Sequence, residues 1–318
     1  MPPATIRLNP DPEGIARAAA LLAGGQAVAI PTETVYGLAA DARRAEAVAR
    51  IYAAKGRPAH NPLIVHVSSL AQARELAVFD AAAEAAAAAF WPGPLTLVLP
   101  LRADSGLAPA VTAGGDRVAL RWPAHPVAGA ILRAFGGVLA APSANPSGRI
   151  SPTTAAHVLD PQNGLSGRIA AVVDAGPCAV GLESTILGWE AGRPVILRPG
   201  GITGDALARV LGPLATVRTT EDAAPVAPGM LSSHYAPRAP VRLNAQGPRA
   251  GEAYIGFGPG GGDLNLSPAG SLEEAAANLF DCLRRADALG LPIAVAPIPA
   301  EGVGAAINDR LARAAAPR

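Results

Sequence analysis

Lysine is almost missing from this chain: Lys55 stands alone beside twenty-five arginines in 318 residues. Basic positions have drifted to arginine, so an arginine says little here and the one position that resisted says more. An ammonium is a compact, strongly hydrated point charge that can approach crowded oxygens, which a planar guanidinium does not replace. Cysteine is nearly as scarce. Cys178 and Cys282 are too few and too far apart for a disulfide framework or a cysteine metal site, which fits a reducing, cytoplasmic setting. Excess charge is missing as well. A formal net charge of +1 excludes a protein built mainly around a long nucleic-acid surface, so an anionic ligand must be held by a local cluster. No apolar run approaches a membrane span, and Met1 to Asp11 has no apolar signal core. Several chemical devices are also absent. No glycine-rich phosphate loop ends in Lys-Ser or Lys-Thr, because glycine follows Lys55. The five histidines form no close zinc-type pair, no nucleophile elbow occurs, and Cys178 has no marked basic neighbour. Gly256-Phe257-Gly258-Pro259-Gly260 follows an apolar run, but its spacing is wrong for a dinucleotide fingerprint and it reads as a loop.

What is present is an alternation of helices and short apolar strands. Asp11 is an N-cap candidate with Pro12 at the first helical position, and that helix should stop at Gly24-Gly25. Further helices are expected at 45–54, 70–77, 81–90, 126–135 and 204–211, the alanine run at 81–89 because alanine has the best helix propensity. Strands are expected at 27–30, 63–67, 95–101, 118–122, 138–140, 170–174, 184–189 and 195–198. From Val217 to Pro240, Pro225, Pro228, Pro237 and Pro240 interrupt any regular element, which makes a linker. Gly229-Met230-Leu231-Ser232-Ser233-His234-Tyr235 is too rich in interacting side chains for a passive tether, and the stretch reads as a lid. A smaller α/β unit follows, with strands near 241–243, 253–257 and 293–296 and helices near 272–289 and 304–315. The expected division is therefore 1–212, a linker or lid at 213–240, and 241–318.

The candidate site residues sit where strands end. Thr32-Glu33-Thr34-Val35-Tyr36-Gly37-Leu38 directly follows an apolar strand, the place where open α/β sheets put ligand contacts. Lys55-Gly56-Arg57-Pro58 lies at a helix-to-strand turn, two cations around a glycine, a grip suited to a polyphosphate. Arg121 stands inside an apolar run, where arginine is uncommon unless paired. Pro142-Ser143-Ala144-Asn145-Pro146-Ser147-Gly148 offers hydroxyl and amide groups for phosphate oxygens, though an ordinary turn has the same composition. Together, Lys55, Arg57, Arg121, Ser143, Ser184 and Arg198 suit a concave site that binds an anion and works by positioning and charge stabilisation, as in phosphoryl or nucleotidyl transfer.

These motifs in combination resemble the Sua5/YciO/YrdC family. The resemblance is carried by Thr32 to Leu38, Lys55-x-Arg57, Asn61-Pro62-Leu63, Ser143-x-Asn145, Glu183-Ser184-Thr185-Ile186 and Arg198-Pro199-Gly200. His234-Tyr235-Ala236-Pro237 and the unit after it are similar to the longer, two-domain Sua5 branch. The resemblance implies an α/β fold, a YrdC-like twisted mixed sheet with helices and an open concave site, plus a smaller Rossmann-like α/β C-terminal domain. It implies L-threonylcarbamoyladenylate synthesis from L-threonine, bicarbonate and ATP with Mg2+, releasing pyrophosphate, as the first step of tRNA N6-threonylcarbamoyladenosine formation. By matching position, Thr34, His66, Arg121, Ala141 and Ser184 would face threonine. Lys55, Arg57, Asn61, Arg117, Ser143, Asn145, Ser151, Arg198 and Tyr235 would face ATP, with Lys55 and Arg57 at the chemistry. Arg117 is a departure, since the family usually has a smaller hydroxyl residue there. No metal ligand is implied among the side chains. A downstream threonylcarbamoyl transferase complex would be the functional partner, with at most weak tRNA contact and no membrane. Two rivals are an RNA-binding module of the YciO or YrdC kind that makes no adenylate, and a carbamoyl-transfer enzyme related to hydrogenase maturation factors. The near-neutral charge weighs against the first, and the few cysteines weigh against the second.

Overall fold

The computed structural model describes residues 4–215, 234–262 and 264–317. Most of the expected lid, including Gly229 to Ser233, lies outside the described residues. Asp11 caps α1 (Pro12–Ala23), its carboxylate accepting from the Gly14 amide at 2.8 Å, with Pro12 where no intrahelical N–H is needed. A short strand β1 (Ile6–Leu8) precedes it and β2 (Val28–Ile30) follows. After the 31–36 loop the chain doubles back as β3 (Gly37–Asp41), antiparallel to β2, and enters α2 (Ala45–Lys55). Next come β4 (Ile64–His66), α3 (Leu70–Leu76), α4 (Ala81–Phe90), β5 (Leu95–Pro100) and β6 (Arg117–Arg121). They are followed by α5 (Pro126–Phe135), β7 (Leu139–Ala140), α6 (Ala155–Leu159), β8 (Ala171–Val173), β9 (Thr185–Glu190), β10 (Arg193–Arg198) and α7 (Gly204–Leu211).

All ten strands so far join one mixed sheet in the order β1-β8-β2-β3-β7-β4-β6-β5-β9-β10. Alternation along each strand decides which face a residue serves. Val65, Leu95, Leu97, Leu99, Val118, Leu120 and Leu187 enter the large core shared with α2, α3, α4 and α7. On the opposite face, α1 and α5 cover the half around β2 and β8, with Leu22, Ile131 and Leu132 against Val28, Ile30 and Val173. The rest of that face, across β4, β6, β5 and β9, carries a small apolar cluster of Ile64, Val98, Ala119 and Ile186. His66 and Arg121 share its side of their strands, two residues on from Ile64 and Ala119.

A second sheet, parallel in the order β11-β14-β12-β13, is built from β11 (Val241–Arg242), β12 (Ala253–Gly256), β13 (Leu264–Asn265) and β14 (Ile293–Val295). It packs with α8 (Leu272–Ala288) and α9 (Gly304–Ala315) around Ile255, Leu279, Phe280 and Ile307. This core also takes in Val35, Ile150, Leu182 and Tyr235, so the two sheets' units meet through apolar side chains. The mixed sheet and the smaller parallel unit agree with the expected fold class. Among the described residues, five elements were not expected from the sequence: β1, β3, α6, β13 and a 3-10 turn at Pro109–Val111. Each is five residues or shorter, too short for a hydrophobic period to declare itself.

Candidate active site

A cleft lies over the uncovered half of the sheet, with Ile64, His66 and Arg121 in its floor. One end is organised by Arg121, which is 4 % exposed. Its Nη1 donates to Thr34 Oγ1 at 2.7 Å, its Nη2 lies 2.7 Å from Glu33 Oε1, and its Nε reaches the Gly93 carbonyl at 3.3 Å. Burial alone would raise the Glu33 carboxyl, yet the charge and hydrogen bond of Arg121 hold it below the usual carboxylate range. The 31–36 loop fixes Thr34 in turn, because the Thr32 hydroxyl, which donates to the Val35 carbonyl at 2.6 Å, lies 2.9 Å from Thr34 Oγ1. His66 sits beside Arg121 in register across β4 and β6. Burial, reinforced by the Arg121 charge, lowers its imidazole to about 3, so it stands neutral with a buried Nδ1 that has no protein partner among the described residues. Ser184 completes this end, its hydroxyl 2.7 Å from that of Thr96. Arg198 closes over it, donating from Nη2 to the Ser184 carbonyl at 2.9 Å and to its hydroxyl at 3.2 Å.

The other end starts where α2 stops. Gly56, at φ +60°, ends the helix in the left-handed conformation that glycine adopts without strain, so Lys55 is the last helical residue and Arg57 turns back toward β4. Arg57 donates to the carbonyls of Asn61 at 3.1 Å and Pro62 at 2.8 Å, and burial lowers its guanidinium to about 10. Ala141, Pro142 and Ser143, directly after β7, form the facing wall. Lys55 is 3 % exposed; its Nζ donates to the Ser143 carbonyl and, at 2.6 Å, to that of Asn145. Burial, with Arg57 adding, pulls its ammonium well below the ordinary lysine range.

Glu183, His234 and Tyr235 close the cleft. Glu183 accepts from Ser151 Oγ and from Arg310 Nε, the latter at 2.8 Å from α9. Burial would raise its carboxyl, but Arg310 and Arg198 outweigh burial and hold it low. Burial brings His234 down to about 3, and its Nδ1 and the Tyr235 hydroxyl are buried without protein partners among the described residues.

The structure brings Thr34, Arg57, His66, Arg121, Ala141, Ser143, Ser184, Arg198 and Tyr235 to one cleft. Five other candidates stand outside its lining. Lys55 and Ser151 are directly behind the wall, tied to Ser143 and Glu183 respectively. Asn145 is buried, its amide donating to the carbonyls of Pro146 and Arg149, which turns it toward its own loop. Asn61 is fully buried, and neither atom of its side-chain amide has a protein partner among the described residues. Arg117 is exposed at the first position of β6, and the structure does not bring it to the cleft. Sequence reasoning missed four contributors: Glu33 as the partner of Arg121, Glu183, His234 and Arg310. The first three lay inside motifs already singled out, while nothing near Arg310 in sequence marks it. Among the described residues no group of three or more His, Cys, Asp or Glu could hold a metal, and the cleft carboxylates are taken by arginines.

The sequence pattern of the family described as Telomere recombination (Sua5/YciO/YrdC) matches residues 20–200. That described as Threonylcarbamoyl-AMP synthase, C-terminal domain, matches residues 202–316. The threonylcarbamoyl-AMP synthase of Bacillus subtilis is 43 % identical over 337 aligned residues, covering 99 % of this chain and 96 % of the relative. That of Pyrococcus abyssi is 40 % identical over 322, covering 93 % of this chain and 92 % of the relative. A crystal structure of P. abyssi Sua5 complexed with L-threonine superposes with a TM-score of 0.88 at 38 % identity, covering 98 % of this chain and 97 % of that one. Both units are matched in sequence and in structure, in one chain and in the same order. The chain belongs to the Sua5/YciO/YrdC family, in the branch that carries the threonylcarbamoyl-AMP synthase C-terminal domain.

Proposed function

We propose that this chain is a threonylcarbamoyl-AMP synthase, joining L-threonine, bicarbonate and ATP into threonylcarbamoyl-AMP with release of pyrophosphate. This is the first step of N6-threonylcarbamoyladenosine formation at position 37 of tRNA. The observation that carries the reading is the Arg121 end of the cleft. A buried guanidinium pinned by Glu33 and Thr34, beside a neutral imidazole and the Ser184 hydroxyl, suits an amino-acid carboxylate and a side-chain hydroxyl together. The second support is the pair of cations on either side, Arg57 at the far end and Arg198 over Ser184, which offset phosphate charge, with His234 and Tyr235 shutting out water.

In this reading the threonine amine captures carbon dioxide derived from bicarbonate, losing a proton to give a carbamate. A carbamate oxygen attacks the α-phosphorus of ATP, the bond to the β-phosphate oxygen breaks, and pyrophosphate leaves. Thr34, His66, Arg121, Ala141 and Ser184 hold threonine. Arg57, Asn61, Ser143, Asn145, Ser151, Arg198 and Tyr235 serve ATP, directly or by shaping its wall. Lys55, behind Ser143, stabilises the point where carbamate and phosphates meet. Magnesium arrives on the ATP phosphates rather than in a protein site. The catalytic unit is 1–212, the linker 213–240 and the second domain 241–318. The product passes to a threonylcarbamoyl transferase complex in the cytoplasm; no helix among the described residues is long and apolar enough to cross a membrane. The test is conversion of ATP to AMP and pyrophosphate with and without threonine and bicarbonate, with the adduct identified by mass. Pyrophosphate release that does not depend on threonine would overturn the reading, and RNA binding without adenylate would favour a binding module instead.

A further inference from the structure

Arg310 belongs to the last helix of the second unit, yet it is completely buried. Its Nε donates to Glu183 Oε2 at 2.8 Å, its Nη1 to Asp309 Oδ2 at 2.6 Å, and its guanidinium carbon lies 5.2 Å from the centre of the Tyr235 ring. Glu183 and Tyr235 are both walls of the cleft. The Glu183 turn has little slack: a Cβ on Gly181, at φ +73°, would stand 2.4 Å from the Ala277 Cα of α8. The next residue after Glu183 is Ser184, bound to Thr96 and Arg198. Tyr235 has φ +60°, a left-handed conformation that a bulky side chain keeps only when its surroundings over-determine it. Those surroundings come largely from the second unit. The Phe280 ring lies 5.7 Å from that of Tyr235, Arg310 flanks it, and the His234 amide donates to the Arg313 carbonyl at 3.3 Å. From the first unit, the Gly148 carbonyl accepts from the Ala236 amide at 2.9 Å.

We infer that Arg310 is a positioning residue of the proposed synthase site, setting two of its walls at once, the Glu183–Ser184 turn through the ion pair and His234–Tyr235 through the ring. The inference rests on the synthase reading and gives the second unit a task in it: α9 holds the cleft's closing residues in a conformation they would not keep alone. A planar fork that pairs with a carboxylate along one edge and stacks on a ring with its face is a task for arginine and not lysine.

The test uses the full-length protein. Arg310→Met alone would strand a buried carboxylate and unfold the chain, so it is paired with Glu183→Gln, which removes both charges together. Arg310→Lys keeps Glu183 and the positive charge but loses the fork. His157→Gln is the control, because His157–Asp281, at 3.2 Å, also joins the two units and neither residue lines the cleft. Two quantities are read: amide hydrogen exchange at His234 and Ala236, and KM for ATP alongside kcat. In the folded paired variant both exchange and KM should rise about tenfold or more, with Arg310→Lys moving the same way. His157→Gln should leave both within about twofold of wild type. A folded paired variant with wild-type exchange and KM overturns the inference. So does a His157→Gln protein that matches it, since any loosening of the interface would then suffice. If the paired variant does not fold, Arg310→Lys decides by the same two measures. A wild type that turns over no ATP overturns the synthase reading alone, because exchange at His234 and Ala236 still reports on Arg310.

Discussion

Replacing Lys55 by arginine keeps the charge in a chain that uses arginine at every other basic position, so if codon drift alone preserved the lysine the change should be silent. The structure argues the opposite. Lys55 is 3 % exposed, and its ammonium bonds two backbone carbonyls, those of Ser143 and Asn145, in the loop that forms one cleft wall. Two of the ammonium's three donors are thereby spent on holding that wall in place. A guanidinium is wider and planar; seated in the same place it pushes the two carbonyls apart and moves Ser143 with them. In the proposed reaction two anionic groups must be brought within attack distance, and misplacement or loss of one such stabilising contact costs about 3 kcal/mol, on the order of a hundredfold in rate. Lys55→Arg should therefore lose about a hundredfold in pyrophosphate release while remaining folded, and Lys55→Ala should lose at least as much. Stability moves less than rate. Removing the ammonium leaves the Asn145 carbonyl without its donor at about 1–3 kcal/mol, while the Ser143 carbonyl keeps the Asn145 amide at 3.0 Å, and it also removes a buried charge whose depressed pKa records the strain of burial. The assay is adenylate formation by both variants, with circular dichroism for folding. Lys55→Arg activity within about twofold of wild type would refute the reasoning and make the single lysine an accident of drift.

Because Thr34 and Ser184 would pair with the substrate hydroxyl, L-valine should support pyrophosphate release about a hundredfold less well than L-threonine, and comparable rates would sink that assignment. Glu33→Gln removes the partner that pins Arg121 and should raise KM for threonine about tenfold with KM for ATP nearly unchanged; an unchanged threonine KM would mean that Thr34 suffices to orient Arg121. His66 and His234, lowered to about 3 by burial, titrate near 6.5 when unfolded, so below about pH 6.5 the unfolded chain binds protons that the folded one refuses. Stability should be flat above that pH and fall by about 1.4 kcal/mol per unit for each histidine as pH drops toward 3. Urea unfolding at pH 7.5, 6 and 5 measures the slope, and His66→Gln should flatten it by one share; the same slope in the variant would show that other groups cause the loss.

Local physics was legible in the chain itself. Asp11 before Pro12 and Gly24-Gly25 after Ala23 mark the ends of α1 through bonds that span three or four residues, and the structure has that helix in place; Gly56, Gly136 and Thr203 act in the same way at α2, α5 and α7. The strand-end motifs were equally local, because a ligand contact after a strand needs only that the strand stop there. What the sequence could not decide depends on partners distant in the chain. β1 exists because Ile6–Leu8 lies in register with Ala171–Val173, and three residues carry no period of their own. β3 is Gly-Leu-Ala-Ala-Asp, indifferent to strand or helix until β2 and β7 flank it. The residue types of the cleft could be read, but its depth could not: Lys55, Ser151 and Asn145 fell behind the wall because backbone carbonyls and a carboxylate from elsewhere claimed their polar atoms. Arg310 is the extreme case, an ordinary residue of an amphipathic helix until tertiary packing sets Glu183, 127 positions earlier, against it. Sequence alone determined the longer helices, though not α6, and which chemistry the strand ends could offer, since both depend on neighbours along the chain. Only the tertiary structure decided which charges neutralise one another and which remain for a substrate, because pairing is a property of distance in space.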